Sequence, residues 1–205
     1  MKKTTILLVV FTTLVFFNLQ AQKLPCWVVT TNADTLTGIF IKANHQHLVL
    51  QSADDQRIEL QPETIYEYLL LQNDGTSVPY QFIKHPETGK RKPMQRLVDG
   101  YYKLFLDKEP AQSTVNPALP KNTSMPHQMS VYYLASYSED AIEVSSKNWE
   151  TVLKTYLADC DPLIESIERK KLKFKDLSAM VASYNAYMRR VLANQGKLEA
   201  PIMEK

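Results

Sequence analysis

SKNWETVLKTYLADCDPLIESIERKKLKFKDLSAMVASYNAYMRRVLAN, residues 146–194, carries three helix signals in succession. Trp149, Val152, Leu153, Tyr156 and Leu157 recur at helical spacing and form one apolar stripe. Ser146 is an N-cap residue type ahead of them, and Glu150 meets the positive end of the helix dipole. A second helix opens at Asp161-Pro162, where a capping side chain precedes the one residue whose missing N–H costs nothing at the first helical position. Leu163, Ile164 and Ile167 are its short apolar face. A third opens at Asp176 and carries Leu177, Met180, Val181, Tyr184, Met188, Val191 and Leu192 on one side, with Gly196 as its stop. Each stripe needs a surface to cover, and what precedes the helices supplies one.

Working back from residue 146, short apolar runs separated by polar turns read as strands at 27–31, 36–42, 48–51, 58–60, 65–71, 78–84, 97–106, 130–137 and 141–144. Asn73-Asp74-Gly75 is the clearest hairpin turn, because glycine supplies the positive φ that a tight turn demands. Gly38 inside the second run marks a bulge or a close backbone approach. Pro79 predicts that the run at 78–84 is an edge strand, and residues 86–93 read as a basic turn containing Gly89-Lys90-Arg91-Lys92. The run at 97–106 is expected as one long strand with Gly100 in its middle, paired with 130–137. Residues 109–128, with four prolines, read as a long loop, either a binding loop or a connector. The expected fold is α+β: an N-terminal antiparallel β meander, a curved sheet or barrel-like, covered by a C-terminal three-helix unit.

Lys2 and Lys3, the apolar run at 6–17 and a small residue, Ala21, before Gln22 have the order of a cleaved export signal. The run falls short of the roughly 20 apolar residues a membrane-spanning helix needs. Residues 1–21 are therefore expected as a signal peptide, 22–145 as the β-rich region, 146–196 as the helical unit and 197–205 as a tail. The expected location is beyond the inner membrane: periplasmic, outer-membrane-associated or secreted. Cys26 follows Lys23-Leu24-Pro25, without the small preceding residue that lipid attachment uses, so acylation is not expected. The formal charge of +2 falls to zero once Lys2 and Lys3 leave with the leader, which removes any argument for nucleic acid. Cys26 and Cys160 either form a disulfide joining the first strand to the helical tail or stand as two separate buried thiols.

Residues Asp34-Thr35-Leu36-Thr37-Gly38, Pro62-Glu63-Thr64-Ile65, Leu97-Val98-Asp99-Gly100 with 101–105, Leu157-Ala158-Asp159-Cys160-Asp161-Pro162-Leu163, Asp176-Leu177 and Tyr184-Asn185 together resemble a family of uncharacterised exported proteins of Bacteroidota-type Gram-negative bacteria. The resemblance implies an envelope or secreted factor and brings no catalytic residues. Some members carry an appended outer-membrane barrel, and no strand array for one follows the helices here.

Candidate chemistry is sparse. His45 and His47 are two positions apart, a spacing that on a strand turns both rings to one face, but they lack a third ligand of convincing spacing. Asp54-Asp55 and the pair Asp159 and Asp161 are potential acid–base carboxylates that turn chemistry and helix-start electrostatics explain as well. His85 and His127 stand beside prolines and read as loop surface. The P-loop, dinucleotide, G-x-S-x-G and H-E-x-x-H patterns are all missing from the sequence. Arg169, Lys170, Lys171, Lys173 and Lys175, interleaved with Leu172 and Phe174, are either a membrane or anion contact or a solvated link whose apolar residues tuck inward. Asn185 lies beside the stripe of the third helix and, if buried, must be bonded to a backbone or to tyrosines. Asp34-Thr35-Leu36 and Asn122-Thr123-Ser124 are weak glycosylation patterns. The expected function is a non-enzymatic envelope factor without cofactor or metal, binding a protein partner through an edge strand or the loop at 109–128. The alternative is a module for a small apolar or lipidic ligand between sheet and helices, lined by Trp27, Tyr101, Tyr102, Tyr132, Tyr184 and Tyr187; a hydrolase with an unfamiliar site ranks behind both.

Overall fold

A computed structural model describes residues 24–107, 131–136 and 140–195. The expected leader, the proline-rich loop with His127 and Asn122-Thr123-Ser124, the stop at Gly196 and the tail lie outside these residues. Ten strands form a single antiparallel sheet in the order β10-β9-β8-β7-β6-β5-β1-β2-β3-β4. They are β1 Leu24–Thr30, β2 Thr35–Ala43, β3 Leu48–Gln51, β4 Arg57–Leu60, β5 Ile65–Leu71, β6 Ser77–Lys84, β7 Arg91–Val98, β8 Tyr102–Leu106, β9 Tyr132–Ser136 and β10 Ile142–Val144. Three helices follow: α1 Trp149–Tyr156, α2 Asp161–Glu168 and α3 Leu177–Asn194. The sheet is curved and open, and the expected α+β architecture is present.

Registers sort the side chains onto two faces, because residues directly opposite each other across a ladder share a face. Leu24, Cys26, Val28, Phe40, Leu48, Leu50, Tyr68, Leu70, Tyr80 and Phe82 follow one another across β1 to β6 on the inner face and form one core. The same face continues through Tyr102, Leu104, Leu134 and Val144, where α1, α2 and α3 cover it with Trp149, Leu153, Leu157, Leu163, Ile167, Met180, Val181 and Tyr184. The helices thus roof only the β7–β10 end. Burying each such side chain contributes about 1.5–3 kcal/mol. At the β1–β6 end the curvature of the sheet draws its own side chains together instead: Phe40 stacks on Tyr68, two strands away, with ring centroids 6.3 Å apart. Gly38 permits the curl, since a β-carbon there would lie 2.7 Å from the Gln51 carbonyl oxygen.

Several expectations are corrected. β6 is an interior strand, not an edge: Pro79 stands opposite Leu69 of β5 and one residue ahead of the first β7 pair, Tyr80 with Gln95, so it does not interrupt the β7 ladder. Pro93 uses the same device, ahead of the first β8 pair, Gln95 with Leu106, and the basic turn accordingly ends where β7 begins, at Arg91. The single strand expected at 97–106 is two strands, β7 and β8, reversed at Asp99-Gly100-Tyr101 with Gly100 at φ 144°. α1 begins at Trp149, three residues after the expected cap, and Asn148 occupies the N-cap position. Of the two readings left open for Cys26 and Cys160, the separate buried thiols are present and the disulfide is not. Cys26 lies in the core of the β1–β6 end and Cys160 in the core beneath the helices, with β5 and β6 between β1 and the roofed strands.

Candidate ligand-binding site

The bend that makes a site is in β2. Phe40 pairs with Leu50 and Lys42 with Val49, so Ile41 is an extra residue bulged out of the ladder and exposed. A bulge bends and twists its strand, and the residues just beyond it, Ala43, Asn44 and His45, line the cavity. The turn beyond is set by Asn44, whose Oδ1 accepts the N–H groups of Gln46 (2.9 Å) and His47 (3.1 Å). Facing it is the β6–β7 hairpin. In the sheet β2 and β6 are separated by β1 and β5, about 14 Å if the sheet were flat. Curvature brings the two ends to line one cavity of about 360 Å³, formed by Phe40, Ala43, Asn44, His45, His85, Thr88 and the run Lys90-Arg91-Lys92-Pro93.

The hairpin wall is rigidly specified. His85 N–H donates to the Lys90 carbonyl and Gly89 N–H to the His85 carbonyl, both at 2.9 Å, with Gly89 at φ 66°. The Glu87 N–H points at His85 Nδ1 (3.3 Å), which places the ring proton on Nε2, where it donates to Tyr133 Oη at 3.0 Å. Burial, with Asp107, Glu143 and Glu87 nearby, pushes the Tyr133 hydroxyl up to about 12, so Tyr133 stays a neutral partner. His85 is therefore half-buried and tethered rather than loop surface. Lys92 is held by Asp107 at 2.7 Å, and Arg91 Nε lies 3.9 Å from Glu63. Among the described residues, no carboxylate lines the cavity.

The residues singled out from sequence are mostly occupied elsewhere. Lys170 N–H bonds the Ile167 carbonyl (3.0 Å) and Lys171 N–H the Ser166 carbonyl (3.1 Å), with Lys170 at φ 57°. This is a Schellman stop of α2 with lysine where glycine is usual. Arg169 pairs with Glu165, Lys170 with Glu150, and Lys173 N–H donates to Asp176. Leu172 and Phe174 pack inward, Phe174 edge-on to Tyr132 at 5.5 Å. Arg169, Lys170, Lys171, Lys173 and Lys175 are exposed, and the two apolar residues among them are half-buried against the core. His47 is directed away from His45 to Glu59, 2.9 Å from Nδ1, and no group of three metal-ligating side chains occurs among the described residues. Asp54 bonds Ser52, which lowers its pKa, and Asp159 accepts the Tyr184 hydroxyl at 2.7 Å.

The helices leave a groove of about 470 Å³ between them, lined by Cys160, Leu163, Leu172, Tyr187 and Arg190 among others, while the tyrosines beneath them pack on one another. Tyr102 and Tyr184, named from sequence as possible ligand-lining residues, sit ring to ring at 5.6 Å, and both are buried. Asn185 is the polar residue of this core: its Oδ1 accepts Tyr102 N–H (2.9 Å), while Nδ2 donates to the carbonyls of Tyr102 (2.7 Å) and Asp99 (3.2 Å). On the outer face Arg96 joins Glu67 and Asp99, with Lys103 beside them. Burial pushes the Glu67 carboxyl up and the Lys103 ammonium down, each only partly offset by its neighbours. Neither known family models, nor curated proteins, nor solved structures give a match to this chain.

Proposed function

We propose that the protein is an exported, non-enzymatic envelope module that binds a small ligand in the cavity between the β2–β3 turn and the β6–β7 hairpin. The observation that carries this reading is the convergence of Phe40, Ala43 and Pro93 with Lys90 and Arg91 on one concavity, the combination of apolar wall and few polar groups that ligand sites use. The site differs in place from the one expected between sheet and helices, where Tyr102 and Tyr184 pack ring to ring.

A protein partner has less support in the described residues. The free edges are β4 and β10, of four and three residues. β4 presents Arg57 and Glu59 in alternation with inward Ile58 and Leu60, a short charged edge of the kind that discourages strand addition. That reading retains the loop at 109–128.

The test is native mass spectrometry of the mature chain purified from the envelope fraction, beside an Ala43→Trp variant that fills the cavity. A co-purifying small molecule that is lost in the variant is the expected result. Equal recovery from both, or no ligand together with no compound in a small-molecule panel raising the melting temperature, overturns the reading. Recovery of the full-length chain with residues 1–21 from the cytoplasm overturns export.

A further inference from the structure

We propose that the cavity selects an anionic amphiphile of about a dozen heavy atoms with one acidic head: a carboxylate or phosphate monoester held by Lys90 and Arg91, on an apolar body lying against Phe40, Ala43 and Pro93. This rests on the cavity being the ligand site and adds what that ligand must look like.

The charge inventory gives the sign. Of the ten described residues that line it, three are cations and none is a carboxylate. Lys92 is already neutralised by Asp107, whereas Arg91 has only the 3.9 Å approach of Glu63, and Lys90 has no ion pair among the described residues. The uncompensated positive charge is thus one lysine and part of one arginine, enough for one acidic head group and not for several.

The hydrogen-bond inventory agrees. Asn44 spends its carbonyl on Gln46 and His47, leaving its NH₂ to donate. Thr88 Oγ1 accepts from Lys90 N–H at 3.4 Å, leaving its hydroxyl proton. His85 already has both ring nitrogens engaged. The free groups of Asn44, Lys90 and Arg91 can only donate, and Thr88 and His45 can each donate as well as accept, so acceptor oxygens on a ligand match this lining.

The remaining surface gives the body. Pro93 is buried, and Phe40 is 7% exposed with Tyr68 stacked behind it, so this wall neither hydrogen-bonds nor yields. A volume of 360 Å³ corresponds to about a dozen waters at ~30 Å³ each, close to the size of a ten-carbon acid. A phospholipid with two acyl chains is far larger than this.

Titration calorimetry of the full mature chain with decanoate, decyl phosphate, decanol and inorganic phosphate separates the possibilities. The expected result is that decanoate or decyl phosphate binds, more weakly at high salt, and that decanol and inorganic phosphate bind at least tenfold more weakly. Whichever of the first two is tighter names the head group. Lys90→Gln combined with Arg91→Gln, both at exposed positions, is expected to lower affinity for the anionic probe by about tenfold or more, with melting temperature retained and decanol binding unchanged. Decanol binding as tightly as decanoate overturns the anionic head while leaving the ligand site standing. Inorganic phosphate binding as tightly as decyl phosphate overturns the apolar body. If no probe binds, the inference and the ligand site both fall.

Discussion

Asn185 shows how much one side chain can organise. With three hydrogen bonds to the backbone of Asp99 and Tyr102, it secures the β7–β8 reversal to α3. Replacing it with leucine strands buried backbone groups, each of which costs about 1–3 kcal/mol when unpaired. Asn185→Leu is expected to lose about 3 kcal/mol or more in urea unfolding. Gly100→Ala attacks the same joint from the other side, since its β-carbon would lie 2.5 Å from Asn185 Nδ2 at a φ that alanine rarely adopts; an unchanged midpoint in both variants would refute this account. Tyr68 makes the opposite case. It is fully buried, and its hydroxyl has no hydrogen-bond partner among the described residues. Tyr68→Phe removes an unpaid desolvation cost and is expected to raise stability by about 1 kcal/mol, read from the same urea midpoint. A drop instead would mean that the hydroxyl is bonded.

At the scale of elements, periodicity was the readable signal and reversal was not. The helical stripes and the Asn73-Asp74-Gly75 turn, with Gly75 at φ 81°, stand where the pattern puts them. The β7–β8 reversal hid because apolar residues flank Gly100 on both sides, so a turn read as the middle of a strand. The end of α2 hid because lysine holds a position where glycine is the usual signal. That position yields a prediction: Lys170→Gly relieves a left-handed backbone and is expected to stabilise by about 0.5–1 kcal/mol, despite losing the exposed contact with Glu150. Thermal melting at high salt, where that contact is screened, isolates the backbone effect; no gain there would remove it. The candidate site was not legible for a related reason. Its two walls come from turns far apart in sequence, and only the Ile41 bulge and the curl of the sheet bring His45 opposite His85. The basic hairpin was visible as composition, but composition does not say what it faces.

For the whole molecule, the aromatic cores set an alkaline limit. Burial raises the hydroxyls of Tyr68, Tyr80, Tyr133 and Tyr184, with Asp159 adding to the effect on Tyr184. A raised tyrosine keeps its proton in the folded state when the unfolded chain has begun to lose it. Above the unfolded value near pH 10 the unfolded state binds fewer protons, so stability falls as pH rises, by about 1.4 kcal/mol per pH unit for each tyrosine ionised only on unfolding. The stabilising contribution is intact below that value. Tyrosine absorbance followed against pH is expected to show one fraction ionising near pH 10 and a second rising only with loss of the near-ultraviolet circular dichroism signal. A single smooth titration with the fold retained would refute it.

One seam in the strand order has a kinetic meaning. Every ladder joins strands consecutive in the chain except that between β1 and β5. The two meanders, β1 to β4 and β5 to β10, can each zip from local hairpins, while their junction closes a loop spanning three intervening strands and carries the larger entropic barrier. Until it closes, β1 and β5 each present an unpaired apolar flank to any neighbouring chain. Refolding at high concentration is where such flanks meet, and mispairing there would exchange one meander between two molecules, making a swapped dimer the natural side product of this topology.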